Sequence, residues 1–225
     1  MVLVLLFLTG LFVGSFLNVL IYRIPRGQQF VAGRSRCPHC RAVLAWYDLI
    51  PVASWLILHG RCRTCHQQIS PVYPFVELLS GLFFVFAPSI PMLVALEVFL
   101  VLVIVDYRHL IIPDGLLIVL LAAALATRAF SWDTLWTVLG CGGFFLLLWL
   151  VSRGRWIGFG DVKFAAVIGV LFGFPGGVIA LYAAVILGGV ISVFLLALGR
   201  ATMKTKLPLG SLFAVSAMWY ILFRI

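Results

Sequence analysis

The sequence predicts an all-α polytopic membrane protein. About eight transmembrane helices are expected, with a small cytoplasmic four-cysteine zinc module after the first. Three observations lead there. The 225 residues are 64% hydrophobic and only 10% charged, where a soluble domain is about half apolar and about a quarter charged. Apolar runs recur along almost the whole chain. One polar, arginine-rich segment interrupts them and holds four of the five cysteines. The formal charge of +9 could suggest nucleic acid, but in a membrane protein the better explanation is that basic residues collect in cytoplasmic loops and meet anionic headgroups.

Three segments follow: 1–22 as a first transmembrane helix, 23–73 as a cytoplasmic zinc-binding domain, and 74–225 as a transmembrane domain of about seven helices. The first run lacks a basic n-region and a small-residue cleavage site, so it is expected to be a retained span. Within it Gly10 and Gly14 offer a small-residue face to another helix, and Asn18 is expected to make an interhelical hydrogen bond. Seven arginines between Arg23 and Pro71 place that segment in the cytoplasm and the N-terminus outside. Cys37-Pro-His-Cys40 and Cys62-Arg-Thr-Cys65 lie 21 residues apart, suiting a tetrahedral thiolate zinc site of structural type. His39 and His66 are spare ligands. The apolar element Trp46–Leu58, broken by Pro51, is too short to span a bilayer and is expected to pack on the zinc module or the membrane surface.

Beyond Pro74 the expected spans are Phe75–Phe86, Met92–Asp106, Asp114–Thr127, Thr134–Ser152, Asp161–Phe172, Val178–Leu198 and Leu207–Phe223. With this arrangement 14 of the 16 basic residues fall inside, Lys204 and Lys206 among them, leaving Arg128 and Arg224 outside. That bias fixes an orientation.

Acids are costly in such a chain, so each of the seven asks for a reason. Asp133 is expected to cap the span it begins, and Asp48 to be solvated. Glu97, in mid-span, must be paired, hydrated or protonated. Glu77 starts a span at the cytoplasmic face, where it can cap, pair with an arginine or line a second site. Asp106 ends a span running inward and Asp161 begins one running outward, so both reach the same boundary. Two close carboxylates share a proton, which lets one activate water while the other protonates a departing group. Asp114 competes with Asp106 for the partner role, although an acid after Pro113 also suits a helix's first turn. Gly158 and Gly160, just before Asp161, leave room for another backbone to approach.

Several of these stretches together resemble the type IV prepilin peptidases, membrane aspartic proteases with a GxGD site. The matching stretches are Gly14–Pro25, Cys37–Cys40, Trp46–Pro51, Gly60–Cys65, Ile69–Leu79, Asp106-Tyr-Arg-His-Leu-Ile-Ile-Pro-Asp114, Gly158-Phe-Gly-Asp-Val-Lys163 and Leu207-Pro-Leu-Gly210. In the last, Leu209 and Ser211 stand where a Phe and a Pro are common, a departure expected to touch only local loop packing. The resemblance implies Asp106 and Asp161 as the catalytic pair, with Gly158, Gly160, Lys163 and Asp114 supporting the catalytic loops. It implies removal of the basic leader of prepilins or pseudopilins after a glycine, at the cytoplasmic face of a bacterial inner membrane. Members with the four-cysteine domain often also N-methylate the new terminus with S-adenosylmethionine, for which Glu77 is the candidate ligand here. The rivals are an ion- or proton-coupled transporter and a non-catalytic zinc-bearing assembly factor; neither needs both the GFGD turn and the cysteines.

Overall fold

The computed structural model describes every residue except 32, 129, 130, 201, 203, 204, 206, 224 and 225. Lys204, Lys206 and Arg224, which enter the charge bias, lie outside the described residues. Among the described residues the chain is helical, with isolated β-bridges only in the cysteine segment. Its helices are α1 Val2–Arg23, α2 Ala53–Ile57, α3 Val72–Phe86, α4 Ile90–His109, α5 Asp114–Thr127, α6 Trp132–Ser152, α7 Phe159–Phe172, α8 Gly176–Ala197 and α9 Leu209–Phe223. Their limits follow the expected spans within a few residues, and α5 matches at both ends.

Four helices, α1, α4, α6 and α8, are long and apolar enough to cross a membrane. Of the others, α3, α5, α7 and α9 are 14 or 15 residues long and α2 has five, where a bilayer core asks for about 20. The fold class is therefore that of a helical membrane protein, and among the described residues helix length by itself supports four of the eight expected spans.

The chain divides into two compact units, Met1–Ala87 and Pro88–Ile225. In the first, α3 lies along α1. Lipid supplies no hydrophobic drive between helices, so close backbone packing and hydrogen bonds hold them together. A Cβ at Gly14 would lie 2.6 Å from Glu77 Cα, and one at Gly10 2.7 Å from Gly81 Cα. Glycine at these positions is what lets the two backbones touch. Ser80 Oγ then reaches the Gly10 carbonyl at 2.7 Å, and the Asn18 amide donates to the Tyr73 carbonyl at 3.1 Å. Asn18 thus makes the interhelical bond expected of it.

In the second unit α6 and α7 meet through Gly142 against Ala166 and Gly169 against Val138. Phe99, Phe164 and Phe213 from α4, α7 and α9 are wholly buried, with ring centroids 5.9 and 6.0 Å apart around Phe164. Phe145 of α6 joins them at 5.1 Å from Phe213. One expected cap moves. Ser131, not Asp133, caps α6 by accepting the Thr134 N–H at 3.2 Å. Asp133 sits one residue inside the first turn, where the helix dipole still favours it.

Gly14→Ala is expected to destabilise the protein by about 1–3 kcal/mol, because its methyl meets backbone that must move. Gly140→Ala, with nothing within 4 Å of the added Cβ, is expected to be neutral or to stabilise by up to about 1 kcal/mol. Unfolding of the two variants in mixed detergent against the parent checks the contrast.

Candidate active site

α4 ends in a tight stop. Leu110 takes the left-handed conformation at φ 53° and donates its N–H to the Asp106 carbonyl at 2.8 Å. This is a strained choice for a residue with a Cβ. The chain then runs extended to Pro113 and restarts as α5 at Asp114. This short connection lays Ile112 against Gly160, where an added Cβ would be 3.2 Å from the Ile112 Cβ. What approaches Gly160 here is therefore the protein's own loop.

α7 begins after Gly158, whose N–H donates to Asp161 Oδ2 at 3.0 Å. Asp161 sits in the first turn, held against the backbone that its own helix leaves unpaired. Asp106 is met by a third element. The Ser211 N–H donates to Asp106 Oδ2 at 2.6 Å, Ser211 Oγ lies 3.1 Å from the same oxygen, and the Gly210 N–H adds to them. These donors belong to the first turn of α9. The approach requires glycine, since a Cβ at residue 210 would come within 3.1 Å of the carboxyl carbon of Asp106.

The result is a cavity of about 380 Å³ bordered by Asp106, Asp161, Asp114, Lys163, Gly158 and Ile112, among others. Asp106 and Asp161 are buried, at 4% and 9% exposure. Asp114 is different: it is exposed at the rim and pairs with the Lys163 ammonium. The two acids that compete on spacing alone thus have different surroundings, one enclosed with helix N–H groups and one neutralised at the surface. Ser211 is the contact the sequence reading missed. It does more than local loop packing, and the hints were its departure from the family stretch and a polar residue in the first turn of an apolar helix.

The four cysteines converge in the first unit. Their Sγ atoms all lie within 4.8 Å of one another, with Cys37 and Cys65 at 3.9 Å. Tetrahedral bonds of about 2.3 Å to zinc would set sulfurs about 3.8 Å apart, so the cluster fits that ion. The two knuckles repeat one geometry. Cys37 and Cys62 each donate their N–H to the carbonyl five residues on, Ala42 and Gln67, both at 2.9 Å. Arg41 and His66 then turn left-handed at φ 59° and 56°, and bridges join Arg36 to Val43 and Arg61 to Gln68. The cluster consists of the four sulfurs, with neither His39 nor His66 among them. The Cys65 N–H, aided by that of Thr64, outweighs burial and draws the Cys62 thiol down to about 7. Thiolate, the form that binds metal, is thus accessible near neutral pH. Glu77 also lies in this unit, buried, with Oε2 accepting the Val52 N–H at 2.7 Å and a further bond from Ser15.

These features define the class: a helical membrane protein with two enclosed carboxylates in one cavity and a four-cysteine cluster. Comparison with known proteins narrows it. Residues 8–89 match the bacterial peptidase A24 N-terminal domain, and residues 92–193 match the type IV leader peptidase family. The junction between the two matches falls where the two units divide. The chain is 38% identical to a prepilin leader peptidase/N-methyltransferase of Myxococcus xanthus, over 90% of this chain and 66% of that protein. It is 37% identical to the one from Klebsiella pneumoniae, over 75% of this chain and 84% of that protein. To that of Bacillus subtilis it is 30% identical, over 95% and 91%. No solved structure is significantly similar. The chain belongs to the type IV leader peptidase family and is a membrane protease by that membership, which sets the transporter and the non-catalytic assembly factor aside.

The rim pair is expected to carry little stability. Asp114→Asn or Lys163→Met should shift the unfolding free energy by less than about 1 kcal/mol, as exposed ion pairs do. A larger loss in detergent unfolding would mean the pair is structural.

Proposed function

We propose that this chain removes the basic leader of prepilins or pseudopilins, with Asp106 and Asp161 as a catalytic pair. The observation that carries this reading is that both buried carboxylates border one cavity. Two such groups cannot both ionise freely at low dielectric, so between them they hold one proton. The ionised member takes a proton from water as its oxygen attacks the scissile carbonyl carbon. The protonated member hydrogen-bonds the carbonyl oxygen that becomes negative. Collapse breaks the C–N bond as the departing nitrogen takes up a proton. The net change adds one water across one peptide bond, and the pair returns to sharing one proton. At the rim, Lys163 and Asp114 pair across the α5 and α7 starts.

A prepilin is a basic leader followed by an apolar helix, so its cut site falls at the cytoplasmic edge of the bilayer. Arg108, Arg153, Arg155 and Lys163 flank the aspartate motifs in sequence, and this bias supports the same edge for the cavity. Prepilin or pseudopilin is thus the substrate and the bacterial inner membrane the location.

Cys37, Cys40, Cys62 and Cys65 would hold a structural zinc ion, which joins the two knuckles and leaves no coordination position for substrate. Some relatives are named as N-methyltransferases as well, and methylation of the new terminus with S-adenosylmethionine is the second activity we propose. Glu77 fits poorly as the methyl donor's ligand, because its buried carboxylate already receives Val52 and Ser15. We assign it to holding Val52, itself left-handed at φ 60°, and derive no methyl-transfer step.

Purified Asp106→Asn and Asp161→Asn are each expected to lose cleavage of a prepilin by a factor of about 10² or more, as removal of an acid or base does. Loss of the leader is read by mass, and full activity in either variant overturns the pair. The same spectra report a methyl group on the new N-terminus. For the cysteines, metal analysis is expected to find about one zinc per chain, lost with unfolding of the module in Cys62→Ser. Four freely reactive thiols and no metal would refute the site.

A further inference from the structure

The two carboxylates have unequal donors. Asp106 receives the Ser211 N–H, the Ser211 hydroxyl and the Gly210 N–H, all from the first turn of α9. A helix start carries unpaired N–H groups and the positive end of the dipole, and both favour negative charge. Among the described contacts Asp161 receives a single N–H, that of Gly158, from the turn that opens its own helix. Hydrogen bonds to the charged form of a carboxylate stabilise that form, and more of them stabilise it further.

We propose that Ser211 is a positioning residue that decides where the shared proton sits: Asp106 is the carboxylate and general base, and Asp161 carries the proton. The inference rests on the two-aspartate reading above and adds a direction to it. Ser211 Oγ also lies 2.9 Å from the Val103 carbonyl. A hydroxyl has one proton to donate, so its bonds to Val103 and to Asp106 alternate. While Asp106 is ionised, the hydroxyl turns to the carboxylate. When Asp106 takes a proton from the attacking water, the new carboxylic acid donates to Ser211 Oγ. The hydroxyl proton then turns to the Val103 carbonyl. Each state leaves the buried groups paired, so the proton arrives without stranding a donor.

The other ionisable groups near Asp106 do not reverse this order. On α7 they are Asp161 and Lys163, and the charge of Lys163 is taken up by Asp114 at the start of α5. On α4 itself Arg108 and His109 lie in the exposed last turn, where a positive charge would further favour an ionised Asp106. On α9 Tyr220 lies about three turns along the helix, stacked on Phe172.

The test is the pH dependence of kcat/KM for prepilin cleavage by the full-length protein. Removing a donor to the ionised form raises the base's pKa, so activity is lost at a higher pH on the acid side. Ser211→Ala is expected to move the acid limb up by about one pH unit. Ser211→Pro, which removes the N–H as well and is tolerated in a first turn, should move it further. Ser211→Thr keeps both donors and should restore the limb. A drop in kcat/KM at all pH values with the limb unmoved would overturn the assignment. Infrared difference spectra, which do not depend on the Ser211 variants folding, provide a second measurement. At neutral pH the protonated-carboxyl band is expected to vanish in Asp161→Asn and to persist in Asp106→Asn, and the opposite pattern would overturn it. If either Asp→Asn variant cleaves at full rate, the two-aspartate reading itself fails. If both are inactive and the limb does not move, only the role of Ser211 fails.

Discussion

The contact on which the second unit depends is aromatic. Phe99, Phe164 and Phe213 meet inside it, one from each of the helices that present Asp106, Asp161 and Ser211. Phe164 lies one turn beyond Asp161, Phe213 two residues beyond Ser211, and Phe99 two turns, about 10 Å, before Asp106. Inside lipid these rings gain nothing from leaving water. What they gain is dispersion and ring geometry, with aromatic pairs worth about 0.5–1.5 kcal/mol each. Their use here is positional. A close-packed junction allows few alternative registers, so three helices fixed there arrive at the cavity with their polar ends fixed as well.

That rigidity matters because the cavity is an expensive place for carboxylates. A charge away from water needs donors, and loop backbone at such depth is rarely available. The helix starts of α7 and α9 solve this by turning unpaired N–H groups toward the acids. Gly158 and Gly210 serve the approach in different ways. Gly158 gives its N–H to Asp161, and Gly210 leaves the space in which Asp106 sits against α9. Chemistry and helix capping thus use the same atoms, so a change that loosens one helix start changes the charge balance too. The cysteine unit follows a different logic: two small turns with almost no core bring four cysteine sulfurs together.

Much of this was legible in the sequence. Lipid imposes long apolar runs, so helix limits fall out of composition, and α5 runs between the residues expected of it. Gly10, Gly14 and Asn18 are local signals whose meaning survives without knowing the partner: small residues mean close packing, and a buried amide means a hydrogen bond. The cysteine knuckles are short-range as well. Less legible were choices between near-equal neighbours. Ser131 and Asp133 are both good caps, and only the backbone at residue 131 decides between them. The partnership of α1 with α3 was hidden because both flank a 48-residue polar segment, and spacing says nothing about which helix a span returns to.

Ser211 was hidden for a deeper reason. It lies 105 residues from Asp106, and although the stretch before it resembles the family's, nothing there ties it to an aspartate. Acids announce themselves in a membrane chain because they are rare and costly. The donors that make them affordable are backbone N–H groups and small hydroxyls, which every helix start possesses. Reading an intramembrane acid from sequence therefore finds the charge but not its counterpart. The counterpart determines which of two acids keeps the proton, and hence which one acts as base. On the proposed reading that choice lies with α9 rather than with either aspartate's own motif, so two chains with the same paired aspartates can differ in pH dependence through a residue at the start of the last helix.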